Sequence, residues 1–204
     1  MHGAAGAEAA VGGRFDEVGA LERSAVEAEG LPRDGFLIDV GCGAGRLAAA
    51  LRDWPGLRYL GVDVSPPLLE HARVTAARPT WRFELVTAAT LPAPDRSADV
   101  VAMFSVITHL SETDTRAYFR ELRRVLKPDG RGVVSFLDPA IPLHRQQIRP
   151  AWFEAIVTRI AWAPNVATSP ATLRAWSDAA GLTVVRIDSP SPVGQSLLVV
   201  APAK

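Results

Sequence analysis

Asp39-Val40-Gly41-Cys42-Gly43-Ala44-Gly45 is the stretch of this 204-residue chain whose residue types and spacing point most directly at chemistry. Glycines let a backbone pass close to a ligand with no Cβ in the way. A helix opening directly after them offers unpaired N–H donors to an anion. A dinucleotide fingerprint needs glycines at the first, third and sixth positions, but the sixth position here is Arg46. A nucleotide P-loop needs Gly-Lys-Ser/Thr, which does not follow. The spacing is tighter than either, and suits a carboxylate and an adenosyl group better than a pyrophosphate. A glycine turn with no ligand is the alternative. It leaves unexplained an acid, Asp39, inside an apolar strand, where an unpartnered charge is costly.

The elements that must position this turn read as an alternation of apolar and amphipathic runs. Phe36–Val40 is a short, almost continuous apolar run that ends at a glycine, the pattern of a strand buried on both faces. Residues 46–53 predict a helix, stopped by Pro55 and Gly56. Residues 59–62 predict a second strand. Ser65 and Pro66 predict the N-cap and first position of a second helix, with Leu68, Leu69, Ala72 and Ala76 on its apolar face. Residues 81–86 predict a third strand, 92–97 a loop and 98–104 a fourth strand. Ser111 and Asp114 form a capping-box pattern for a helix that runs to Val125. Lys127-Pro128-Asp129-Gly130 predicts a turn, and 132–137 a fifth strand. Beyond a proline-rich and basic stretch, 151–162 predicts an amphipathic helix. Ser169-Pro170 starts another helix that ends at Gly181, and 182–187 and 196–200 predict the last strands. Strands joined by helices in this rhythm imply right-handed crossovers. The expected fold class is α/β: a doubly wound, mostly parallel seven-stranded sheet with helices on both faces.

Composition narrows the function classes. Lys plus Arg equals Asp plus Glu, at 22 each, which argues against a dedicated nucleic-acid binder. The apolar runs are too short to span a bilayer. Cys42, the one cysteine, has no Cys or His at metal-ligand spacing, so no metal is expected. A lone thiol also suits a reducing compartment, and the expected location is cytoplasmic. Residues 1–13 are Ala/Gly-rich, without the marks of a signal peptide, and are expected to be a flexible arm. Residues 14–204 are expected to form a single domain, with 138–168 a substrate-side insertion or lid.

The run from Leu37 to Ala48 resembles motif I of the class I S-adenosylmethionine-dependent methyltransferases. Tyr59-Leu60-Gly61-Val62-Asp63-Val64-Ser65 resembles the end of the family's second strand, and Thr87-Ala88-Ala89-Thr90-Leu91-Pro92 its adenine-facing stretch. Phe104-Ser105-Val106-Ile107-Thr108-His109-Leu110 and the run from Glu121 to Gly130 also match. The resemblance implies a Rossmann-like methyltransferase fold, S-adenosylmethionine as cofactor and S-adenosylhomocysteine as product. It implies a cofactor site of Asp39, Gly41, Cys42, Gly43, Gly45, Asp63, Val64, Thr87, Ala88 and Phe104. Asp63 would accept from both ribose hydroxyls, with helix entry as the alternative role for that acid. Thr87 stands where the family usually has Asp, and its hydroxyl accepts only neutrally.

Methyl transfer from a sulfonium needs the protein mainly to position the acceptor. A base is required only where the acceptor holds its proton at neutral pH. His109, just past the fourth strand, is the first candidate base; the alternative is a structural histidine bonding a loop carbonyl or the Ser111 cap. His144 is the second candidate, with a solvated loop residue as the alternative. Asp138, Arg145 and Trp152 are the expected substrate-side residues. Asp138 would otherwise cap a turn, Arg145 lie on a solvated face, and Trp152 pack in a core or dimer contact. The expected acceptor is a small molecule, methylated on oxygen or nitrogen, and the expected state a monomer or homodimer. The alternatives are a macromolecule methyltransferase and a non-methylating protein that binds the same cofactor. The place where DNA amino-methylating enzymes of this fold carry Asn/Asp-Pro-Pro-aromatic reads Phe104-Ser105-Val106-Ile107, which argues against base methylation.

Overall fold

A computed structural model describes residues 14–147 and 165–204. One seven-stranded sheet organises them, in the order β3-β2-β1-β4-β5-β7-β6. The strands are β1 (Phe36–Val40), β2 (Arg58–Asp63), β3 (Arg82–Leu85), β4 (Ala98–Met103), β5 (Leu126–Phe136), β6 (Leu182–Asp188) and β7 (Ser196–Pro202). The first five pair in parallel, and β7 inserts antiparallel between β5 and β6. The expected fold class is therefore the observed one. The order reverses between β1 and β4, and ligands of open α/β sheets bind outside the carboxyl ends at such a point.

Alternation along the strands sends side chains to two cores, one on each face. Ile38, Val40, Leu60 and Val62 meet Phe119, Leu122 and Val125 of the helix α4 (Glu112–Val125), and Leu173 of α6 (Pro170–Ala179). Leu37 and Tyr59 meet Leu47 and Leu51 of α2 (Arg46–Leu51), and Leu69, Ala72 and Ala76 of α3 (Pro66–Ala76). Leu68 lies half-buried at the margin of that stripe. The helix α1 (Phe15–Ala28) packs beside α2 and is tied to it by a bond from Arg46 to the buried Glu22. The short helix α5 (Pro142–Gln147) follows β5.

Two local expectations are corrected. Lys127-Pro128-Asp129-Gly130 does not precede the fifth strand as a separate turn; it bulges out of β5. Leu126 already pairs with Ala98, and pairing resumes two residues later on β4, between Val100 and Arg131. Proline has no N–H for a ladder, so the excess residues loop out there. Ser65 takes the extended N-cap conformation, yet its side chain makes no capping bond. Its own N–H is instead taken by Asp63 Oδ1, at 2.9 Å. At α4 the expected cap is present: Ser111 Oγ accepts from Asp114 N at 3.1 Å.

Candidate cofactor and acceptor site

The glycine turn leaves β1 and is sewn to the end of β2. Gly41 N and Cys42 N both donate to Val62 O, at 2.8 and 3.0 Å. Gly41, Gly43 and Gly45 have φ of 68°, 53° and 86°, left-handed values that L side chains avoid. A Cβ on Gly41 would also lie 2.6 Å from Val106 Cγ2, so this glycine lets the loop after β4 close against the turn. Cys42 is buried, and its Sγ sits 2.9 Å from where a Cβ on Gly61 would be. The Cys42 side chain therefore fills the core over β2, which leaves only its backbone to the cleft. Burial pushes its thiol far above the ordinary range, so it stays protonated and unreactive.

Asp63 closes the turn from the other side. Oδ2 accepts from Gly43 N and Oδ1 from Ser65 N, both at 2.9 Å. A carboxylate offers about four acceptor positions, so each oxygen keeps one for a ligand hydroxyl. Helix entry and ligand contact are thus compatible roles for this acid. Val64, beside it, is 72% exposed, an apolar side chain held out of the core next to a buried carboxylate. Val86 N donates to Asp63 O, which brings the exposed Thr87 and Ala88 to the same edge. Phe104, buried at the end of β4, lies in the core on the turn's face of the sheet. These residues fit an adenosyl ligand. They supply backbone N–H groups, a diol acceptor and an apolar side chain around one turn.

Asp39 is buried, and its Oδ2 accepts from Tyr59 Oη at 2.5 Å. Sequence reasoning named Asp39 and missed Tyr59. The available signal was parity: an acid inside an apolar strand needs a partner, and Tyr59 is the hydroxyl on the same face of the neighbouring strand.

On the acceptor side the structure joins some expected residues and separates others. His109 ends a single 3₁₀ turn, Ile107–His109, and is exposed at the carboxyl edge of β4. His144 is fully buried, so it is not a solvated loop residue. Its Nδ1 accepts from Asp138 N at 2.9 Å. That bond places the proton of the neutral ring on Nε2, which makes His144 a donor in this arrangement and not a ready base. Asp138 Oδ1 accepts from Ala140 N at 2.9 Å, an Asx turn that caps the end of β5. Arg145 is exposed and, among the described residues, reaches only the Ala140 carbonyl, at 3.5 Å. Trp152, Phe153, Trp162 and Arg149 lie outside the described residues.

Sequence reasoning also missed a polar chain across three strands. Ser105 N donates to Ser135 Oγ at 2.7 Å, and Ser135 Oγ donates to Gln195 Oε1 at 2.6 Å. It holds Ser105 at φ 59°, a left-handed conformation that costs a non-glycine residue about 1–2 kcal/mol. Such strain persists where the surroundings over-determine it, and it clusters at functional sites.

The match to known proteins agrees with this geometry. Residues 37–130 match a family model described as a methyltransferase domain. Over these residues the chain is similar to the class I S-adenosylmethionine-dependent methyltransferases. Over 110 residues this chain is 36% identical to malonyl-[acyl-carrier protein] O-methyltransferase of Hahella chejuensis, covering 53% of this chain and 38% of that one. Over 141 residues it is 30% identical to demethylmenaquinone methyltransferase of Chlorobaculum parvum, covering 68% of this chain and 55% of that one. The matches thus span about half, or less, of these relatives' length. Among solved structures, CalO1, a methyltransferase in calicheamicin biosynthesis in its S-adenosylhomocysteine-bound form, superposes with a TM-score of 0.66. It is 22% identical, and the match covers 91% of this chain and 54% of that one. No helix among the described residues of the chain is long and apolar enough to cross a membrane.

Proposed function

We propose that this protein transfers a methyl group from S-adenosylmethionine to the oxygen or nitrogen of a small-molecule acceptor. The observation that carries the reading is the left-handed glycine turn bonded to Asp63, which keeps an acceptor position on each oxygen. When bound, the cofactor's sulfonium supplies an activated methyl group and its own leaving group. The chain then has to bind, orient and exclude water. Asp63 accepts the ribose hydroxyls, the turn's backbone meets the methionine part, and Val64, Thr87 and Ala88 border the adenine. The acceptor lies past the carboxyl ends of β4 and β5, where His109 takes a proton from an alcohol or phenol. His144 holds the Asp138 backbone from within the core, and Asp138 and Arg145 shape the rim.

The names of the two relatives differ in acceptor, a protein-bound malonyl group in one and demethylmenaquinone in the other. The acceptor of this chain is therefore to be found by assay. Tritiated S-adenosylmethionine would be offered with a panel of phenols, quinols, amines and malonyl-acyl carrier protein. Formation of S-adenosylhomocysteine only in the presence of a small acceptor is the expected result. Turnover with the carrier protein alone would transfer the reading to a macromolecular acceptor. Calorimetric titration without any heat of cofactor binding would sink it altogether.

A further inference from the structure

Among the described residues, four other than glycine have positive φ: Arg14, Ala77, Arg96 and Ser105. Arg14 and Ala77 flank helix ends, and Arg96 lies in the turn before β4. Ser105 stands at the carboxyl edge of the sheet, between β4 and the 3₁₀ turn that carries His109. The local bonds that follow depend on its conformation. Ser105 O accepts from Thr108 Oγ1, and Val106 O from His109 N, both at 3.0 Å. Val106 itself lies against Gly41, where a Cβ has no room. The backbone at Ser105 therefore sets the wall that the loop after β4 raises against the glycine turn.

The brace on Ser105 is directional. Ser105 N–H can only donate, and it donates to Ser135 Oγ. A serine hydroxyl has one proton, so that of Ser135 goes onward to Gln195 Oε1. This polarity fixes which end of the Gln195 amide faces Ser135. Gln195 is anchored from behind, because its backbone carbonyl accepts from Ser191 N at 3.0 Å and from Ser191 Oγ at 2.6 Å. Register explains the alignment. Ser135 pairs with Leu197 across β5 and β7, and Gln195 leads directly into β7. Val133 and Leu197 lie in the core on the glycine turn's face, and alternation sends Ser135 to that face too. The penalty of a left-handed serine and the yield of one hydrogen bond are similar in size. Without the Ser135 hydroxyl the two no longer balance, and the part-buried Ser105 N–H loses its acceptor.

We propose that Ser135 and Gln195 are positioning residues for the cofactor cleft: their hydrogen bonds hold Ser105 left-handed, and so hold the loop after β4 against the glycine turn. The proposal rests on the cofactor reading above. It makes cofactor affinity depend on the connection between β6 and β7, none of whose residues is a candidate for cofactor contact. When the brace is cut, Ser105 relaxes toward ordinary φ values, Val106 leaves Gly41, and the cleft loses one wall. The remedy is equally local. Glycine takes positive φ about as readily as negative, so a glycine at position 105 needs the brace far less than a serine does.

The test is calorimetric titration of S-adenosylhomocysteine into wild type and variants, each as the full chain, with melting temperatures recorded alongside. Ser135→Ala is expected to bind about tenfold more weakly than wild type, the equivalent of one lost hydrogen bond. Adding Ser105→Gly to Ser135→Ala should bring the affinity back to within about threefold of wild type. A serine that merely stabilises the fold predicts the reverse, because the added glycine only loosens the backbone further. Gln195→Glu, whose carboxylate still accepts from Ser135, should bind about threefold more tightly than Gln195→Leu, which cannot accept. Wild-type affinity in Ser135→Ala, or no recovery in the double variant, overturns the proposal. Should Ser135→Ala fail to fold, equal affinities of Gln195→Glu and Gln195→Leu, at the less buried end of the brace, overturn it alone. Wild type that binds no S-adenosylhomocysteine removes the cofactor reading before any variant is compared, which separates the two failures.

Discussion

Replacing Asp63 removes two backbone bonds along with any ligand contact. Asp63→Ala frees the N–H groups of Gly43 and Ser65, so the turn loosens even before a ligand arrives. A loss of about 2 kcal/mol in S-adenosylhomocysteine binding is expected, roughly a thirtyfold rise in Kd by calorimetry. Asp63→Asn should not rescue it, because one arm of the amide then points a donor at a backbone donor. Unchanged affinity in both variants would move the ribose contact elsewhere. Gly41 allows a cleaner dissection of conformation from contact. Gly41→Ala meets both φ 68° and a Val106 methyl 2.6 Å away. It should destabilise by about 2 kcal/mol in urea unfolding. Adding Val106→Ala relieves the clash but not the backbone, so partial recovery is expected relative to the sum of the single changes. Full additivity would show that the contact plays no part. The glycine turn itself was legible in the sequence because backbone needs within seven residues are local. Tyr59 was not, because its bond to Asp39 depends on the register between two strands.

Among the elements, those set by local chemistry match their sequence reading closely. β1 has the predicted bounds, since apolar runs and glycines delimit a strand without outside help. The Ser111 cap does as well, since its partner is three residues away. Ser111→Ala should cost about 1 kcal/mol and lower the melting temperature by about 2–4 °C. A larger drop would mean that the turn before α4, where Thr115 Oγ1 donates to Ser111 O at 2.9 Å, carries more than the cap. The bulge in β5 and the chain from Ser105 through Ser135 to Gln195 were hidden for the opposite reason. Ser135 and Gln195 are 60 residues apart, and only the antiparallel insertion of β7 beside β5 brings them together. The acceptor side shows the same divide. Asp138 and His144 are near in sequence, yet that Nδ1 points at a backbone N–H is a tertiary fact.

At the scale of the molecule, Asp39 links folding and pH. The ordinary value for its carboxyl is 3.8, and burial pushes it up to about 7 in the folded chain. Between these limits the folded state holds a proton that the unfolded chain has lost. Stability must therefore fall as pH rises from about 4 to about 7, by at most about 1.4 kcal/mol per pH unit, and level off above. Glu22 acts in the same direction, raised by burial although Arg46 partly restores it. Glu121 acts in the opposite direction: its bond from Arg124 lowers its carboxyl, so its contribution is lost only as pH falls below the ordinary carboxylate range. The melting temperature of the ligand-free protein should thus decline from pH 5 to pH 7.5. Asp39→Asn, which has no proton to lose, should flatten the ligand-free decline. Differential scanning calorimetry across that range decides it. If Asp39→Asn keeps the wild-type slope, the pH dependence resides in Glu22 and its partner.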